Sequence, residues 1–267
     1  MHLLHTQEVS GSIPLITTIL FQCSTAVVQL TVNQLVVGSI PATGAKISSV
    51  MKRMALFLHH PECSEDCAIA MVHSLSSEYQ VRILSEKELD DDNFFDNLDV
   101  IAFPGGIGDS DSYVDFFTRT RANRIARFLD SGGHYLGICM GAYWAGERYF
   151  DILTDVSPVQ YIKRPNATVR RSYGTTTEIK WNGINEQMYF YDGCALIGDE
   201  SKFKTVARYA NGDPMAIIQG RIGLIGCHPE APLYWYEKPW QYINKHWNDG
   251  RHHTLLLNFV NELCSVS

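Results

Sequence analysis

The chain starts almost without charge: of its 267 residues, no lysine or arginine precedes Lys46, and Glu8 is the one acidic residue before it. A secretory signal needs a positive start ahead of its apolar run, and His2 and His5 do not supply one. The apolar stretch from Ile13 to Val37 is interrupted by Gln22, Gln29, Asn33 and Gln34 before it reaches the roughly 20 residues of a membrane span. Basic charge is scarce over the whole length. The 22 lysines and arginines against 29 acidic residues leave a net charge of -7 and a pI near 5.8, which gives little drive toward phosphate backbones or anionic lipid. Neither nucleic acid nor a membrane is therefore an expected partner. Cysteine is neither dense nor even in number, with seven spread from Cys23 to Cys264. That excludes the disulfide framework of a small secreted domain and makes a reducing cytoplasm the expected location. Internal repeats and low-complexity tracts are also lacking.

What is present is the composition of a globular domain with a large core, 45% hydrophobic and 19% charged. Residues 1–50 are expected to be an extension, disordered or a misassigned start, and residues 51–267 one domain. The segment Asn33-Gln-Leu-Val-Val-Gly-Ser-Ile-Pro-Ala-Thr-Gly44 resembles the translated end of a transfer-RNA gene, which points to Met51 or Met54 as the start.

From Met54 onward, short apolar runs alternate with longer amphipathic stretches, the pattern of parallel strands covered by helices. Strands are expected at 55–58, 81–84, 99–103 and 135–138. Helices are expected at 65–75, from its acidic start, and at 113–129, where Val114, Phe117, Ile125, Phe128 and Leu129 share a face before Ser131-Gly-Gly133 stops it. The fold class is α/β, a doubly wound mostly parallel sheet of flavodoxin-like type, in which ligands sit at the carboxyl ends of the strands. Beyond Asp151 the alternation at 176–181, 187–191 and 204–209, punctuated by Asn182-Gly183, Asp192-Gly193 and Asn211-Gly212, predicts a β-rich excursion. A strand over 216–226 then leads to Cys227-His-Pro-Glu230, and 253–263 reads as a closing helix.

Gly137-Ile-Cys-Met-Gly141 places Cys139 between a predicted strand and a predicted helix, where a nucleophile elbow belongs. The turn there is sharp, so small flanking residues are required, and the positive end of a following helix favours the thiolate. His228 follows a predicted strand far downstream, and Pro229 separates it from Glu230. Such a turn can aim an imidazole at the thiol while the carboxylate orients the ring. Pro104-Gly-Gly106 ends another strand, where backbone N–H groups of Gly106 and of Met140 can meet a developing oxyanion.

Phe103-Pro-Gly-Gly106, Gly132-Gly-His-Tyr-Leu-Gly-Ile-Cys-Met-Gly-Ala142 and His228-Pro-Glu230 resemble the class I glutamine amidotransferase-like domain found at the N-terminus of biotin-protein ligases. Tyr191-Asp-Gly-Cys194 is similar to that family's Tyr-Asn-Gly-Gly region. The resemblance spans about 54–264 and implies a Cys139, His228, Glu230 triad. It does not extend to biotin ligation, since no Gly-Arg-Gly-type adenylate loop is present. No ammonia-using synthase domain is present either, so a glutaminase role implies a partner in the form of a separate synthase or ligase subunit.

The expected function is a cysteine hydrolase acting on glutamine, another small amide or a peptide, with no cofactor and no metal. A binding or regulatory module that turns over nothing until a partner completes its pocket is the alternative from a different class. A cysteine peptidase or protein-repair enzyme is a third, but such branches use a carboxylate from an early strand, where this chain has His59 and His60, with Glu62 beyond Pro61. His59, His60, Cys63 and Cys67 invite a metal reading, yet a second ligand cluster is missing, so ordinary thiols are expected. Cys227 is expected in the core, since neighbouring strand residues face opposite ways. Tyr234, Trp235, Tyr236, Trp240, Tyr242 and Trp247 are expected either to wall the cleft or to pack a surface segment, and Asp90-Asp-Asp92 to be a solvated loop.

Overall fold

The computed structural model describes residues 17–23, 26–32, 51–58, 64–91, 93–106, 115–239 and 241–266. The chain divides into two units, Met1–Ser49 and Val50–Ser267. In the first, β1 (Thr17–Cys23) and β2 (Ala26–Val32) pair as an antiparallel hairpin.

The second unit is built on a nine-stranded sheet. Its parallel part comprises β3 (Lys52–Phe57), β4 (Tyr79–Leu84), β5 (Val100–Phe103), β6 (His134–Ile138) and β13 (Ile222–Ile225), in the order β4-β3-β5-β6-β13. Its antiparallel part continues from β13 through β12 (Pro214–Gln219), β11 (Lys204–Tyr209) and β8 (Thr175–Trp181) to β9 (Ile184–Phe190). A separate antiparallel pair joins β7 (Val156–Gln160) to β10 (Cys194–Gly198).

The expected doubly wound class is thus what the chain adopts, and the pleat explains it. Successive side chains of a strand face opposite ways. In β3, Met54 and Leu56 enter a core covered by α1 (Glu65–Leu75) and α4 (Arg251–Leu263), through Met71, Leu75, Leu256 and Phe259. Ala55 and Phe57 enter a second core covered by α2 (Arg119–Asp130) and α3 (Met140–Tyr143), through Ile125, Phe128 and Ala142. Burial on both faces is why these strands read as continuous apolar runs.

Three expectations need correction. The second helix begins at Arg119, because Thr118 is its N-cap and accepts from the Arg121 N–H. Phe117 precedes the helix and packs against Trp144, Tyr149 and Phe150, while Tyr113 and Val114 lie outside the described residues. The span 216–226 is two strands, because Gly220, at φ +54, turns the chain back within the apolar run. The closing helix starts at Arg251 after Gly250, at φ +74. The Asn182-Gly183 turn does join β8 to β9 as a two-residue hairpin, with both residues at positive φ.

Candidate active site

Three motifs meet because three adjacent parallel strands end together. β5 pairs with β6 up to Phe103 opposite Gly137, and β6 pairs with β13 up to Ile138 opposite Ile225. Past those ends come Pro104-Gly-Gly106, Cys139 and His228. The Cys139 N–H donates to the Ile225 carbonyl at 2.8 Å, which ties the start of the elbow to the strand that delivers His228.

Cys139 has φ +50 and ψ -105, a conformation that non-glycine residues rarely adopt. The flanking glycines are obligatory. A Cβ on Gly137 would sit 2.4 Å from the Gly141 carbonyl oxygen, and one on Gly141 would sit 2.1 Å from that of Phe103. The Gly141 N–H then donates to the Pro104 carbonyl at 3.2 Å, so the Pro-Gly-Gly segment and the elbow lie against each other. The helix after the elbow, α3, is a single turn and lacks the long dipole the sequence suggested.

His228 is 3% exposed and Glu230 is fully buried. The His228 Nδ1 and Glu230 Oε1 are 2.8 Å apart, so the carboxylate accepts a hydrogen bond from the Nδ1–H and fixes the ring. The ring is held edge-on by Tyr189 and Trp235, and the His228 N–H donates to the Tyr189 carbonyl at 2.9 Å. Burial alone disfavours an imidazolium here, but Cys139 and Glu230 outweigh it and hold the His228 pKa well above the ordinary histidine value.

Gly106, Cys139 and Met140 line one cleft of about 1050 Å³, together with Tyr143, Tyr191 and Asp192, and with Glu147, Arg148 and Lys163 further out. The Cys139 thiol lies 3.5 Å from the Tyr191 carbonyl oxygen. Asp192 is held at φ +50, and burial raises its pKa against the Gln160 and Ser172 hydrogen bonds. Sequence reasoning noticed Tyr191-Asp-Gly-Cys194 only as a resemblance, because nothing local signals that a β9 terminus reaches the elbow.

It read Cys67 as an ordinary thiol and did not place it at this site. This thiol is brought beside His228 and Glu230, with one donor atom of each of the three within 4.8 Å of the others. Burial pushes the Cys67 pKa up. His59, His60, Pro61, Glu62 and Cys63 lie outside the described residues. Cys227 is in the core as expected, its pKa pushed up by burial to about 12.

The aromatic group after Glu230 divides by role. Tyr236 is fully buried and bridges the Tyr189 N–H and His252, Trp247 packs on Tyr236, and Trp235 backs His228. Tyr234 and Tyr242 are exposed, and Trp240 lies outside the described residues. The cleft takes its aromatic lining from Tyr143, Tyr149 and Tyr191 instead. Asp90 is ion-paired with Arg121 at 2.6 Å, Asp91 caps a turn by accepting from the Asn93 N–H, and Asp92 lies outside the described residues.

Residues 59–154 match the family described as biotin-protein ligase, N terminal. The fold is similar to that of glutamine amidotransferases of known structure. A glutamine amidotransferase from Thermotoga maritima superposes with TM-score 0.61 at 11% identity, over 81% of this chain and all of that one. PurLQS from Thermotoga maritima gives 0.51 at 16% identity, over 77% and 100%. A protein described as a candidate GMP synthase subunit, from Thermoplasma acidophilum, gives 0.52 at 16% identity, over 81% and 96%. No curated protein matches the chain at the level of sequence. The matched biotin-protein ligase segment contains the Pro104-Gly-Gly106 turn and the elbow of this amidotransferase-like fold, and ends before His228 and Glu230. No helix among the described residues is long and apolar enough to cross a membrane.

Proposed function

We propose that the chain is an amidotransferase-like cysteine hydrolase that cleaves an amide of glutamine, another small molecule or a peptide. The observation that carries this reading is the strained Cys139, at φ +50, in an open cleft beside the His228–Glu230 pair. Strain of this kind at a cysteine, at φ +50 and ψ -105, supports a side chain held out for reaction.

In the proposed reaction the Cys139 thiol passes its proton to His228 as Sγ adds to the amide carbonyl carbon, and the oxygen takes up the negative charge against the N–H groups of Met140 and Gly106. His228 gives its proton to the departing nitrogen as the C–N bond breaks, which leaves a thioester on Cys139. A water then loses a proton to His228 and adds to the thioester. The C–S bond breaks, His228 returns the proton to the departing sulfur, the acid leaves, and the thiol is restored. Glu230 keeps the ring in the orientation both transfers need.

Delivery of the ammonia to a separate synthase or ligase subunit is part of the proposal, supported by a structural neighbour described as belonging to a GMP synthase. Ammonia release from a panel of glutamine and peptide amides, with hydroxylamine to trap the thioester, tests the reading. Turnover and trapping are expected in the unmutated chain and absent in Cys139→Ala. Turnover unchanged in Cys139→Ala contradicts it. Release that occurs only with a partner present favours the partner-dependent module.

A further inference from the structure

We propose that Cys67, His228 and Glu230 form a binding site for a thiophilic divalent cation such as Zn2+, and that occupancy switches off the His228 base. The first half stands on the cluster itself; the second rests on the function proposed above.

The three residues offer one sulfur, one nitrogen and one oxygen, the mixed donor set that suits zinc. Their donor atoms all lie within 4.8 Å of one another. Zinc bonds of about 2.0–2.3 Å place tetrahedral donors roughly 3.5 Å apart, so small side-chain rotations close the chelate. Cys67 is 5% exposed, His228 3% and Glu230 0%. Glu230 carries an independent sign of a missing partner: Oε1 is taken by His228, while Oε2 is fully buried with no hydrogen bond. A buried carboxylate oxygen without a partner is costly.

Gly105 has no side chain to crowd the imidazole and thiol, against which its backbone packs directly. A Cβ there would lie 2.6 Å from His228 Cε1 and 3.0 Å from Cys67 Sγ. Charge balance agrees. A thiolate and a carboxylate neutralise a divalent ion, so the occupied site adds no net charge to a buried region. Three protein donors leave the fourth tetrahedral position to water.

The switch follows from the imidazole having two nitrogens. A metal on Nε2 takes the lone pair that would accept a proton. A metal on Nδ1 displaces the Glu230 hydrogen bond and leaves the ring proton on Nε2, which then cannot accept one. Binding releases the thiol proton and any imidazolium proton, so affinity rises with pH.

The full chain titrated with Zn2+ by calorimetry, and with Co2+ by absorption, tests the site without any need for turnover. A single equivalent should bind, and Co2+ should give a thiolate-to-metal charge-transfer band. The band should vanish in Cys67→Ser and persist in Cys63→Ser and Cys139→Ser. In the unmutated chain, Zn2+ should protect Cys67 from alkylation, as read by peptide mass spectrometry, which guards against a variant that fails to fold. No stoichiometric binding, a band that survives Cys67→Ser, or Cys67 labelled equally with and without Zn2+ overturns the site. These results hold whether or not the chain hydrolyses an amide. If it does, one equivalent of Zn2+ should abolish turnover and a chelator restore it. Unaltered turnover with the metal bound overturns the switch alone.

Discussion

His228 is tuned by burial and by two neighbours, one near in sequence and one far. Burial works against its charged form, while the nearby Cys139 and Glu230 more than reverse that. A histidine whose folded pKa lies above the unfolded value of about 6.5 adds stability that is fully present below that value. The contribution is lost as pH rises through the folded pKa. Glu230→Gln removes one of the groups that raise it. Urea unfolding of the two proteins should therefore differ most in mildly acidic solution, with the gap narrowing toward alkaline pH. A gap that widens with pH contradicts this account of His228. The residues His228 and Glu230 were legible in the sequence, since Pro229 fixes their spacing. Cys67 was not, because its approach to His228 depends on where α1 sits against the sheet, and its one local signal, a nearby His and Cys, pointed elsewhere.

Among the elements, the elbow shows why local pattern was sufficient in one place and misleading in another. Gly137 and Gly141 are required by contacts with backbone atoms, and a glycine needed for close approach leaves a plain mark in sequence. Gly141→Ala would drive a methyl group to 2.1 Å from the Phe103 carbonyl oxygen. Because both sides of that contact are backbone, the elbow must move off β5. A loss of at least about 1–3 kcal/mol is expected in chemical denaturation, together with slowed reaction at Cys139. Unchanged stability would mean that the elbow does not dock on β5 as described. The helix expected from residue 113 failed for a related reason. Phe117 has helical spacing with Ile125 and Phe128, yet it is partly buried against Trp144 and Phe150 from a turn ahead of the Thr118 cap. Apolar periodicity reports burial, and irregular segments are buried too. The same ambiguity concealed the β12–β13 hairpin, whose two strands are both apolar and are divided by Gly220.

For the whole molecule, the alternation of apolar runs with amphipathic stretches was enough for the doubly wound class, because a sheet buried on both faces leaves that signature in composition as well as order. The order of strands was not legible. The return of β13 beside β6 joins residues far apart in the chain, Ile222 opposite Tyr135, and only that pairing places the His228–Glu230 turn next to the elbow. Activity of the proposed kind therefore turns on whether Cys139 is activated by this convergence.

Labelling of Cys139 by a glutamine-mimicking electrophile, followed across pH by peptide mass spectrometry and repeated in His228→Ala, tests that most directly. Cys227, pushed to about 12 by burial, and Cys264, also raised by burial, serve as internal standards. An activated Cys139 should label rapidly near neutral pH, and the reaction should collapse in His228→Ala. Labelling no faster than at Cys264, and unchanged in His228→Ala, would contradict that activation.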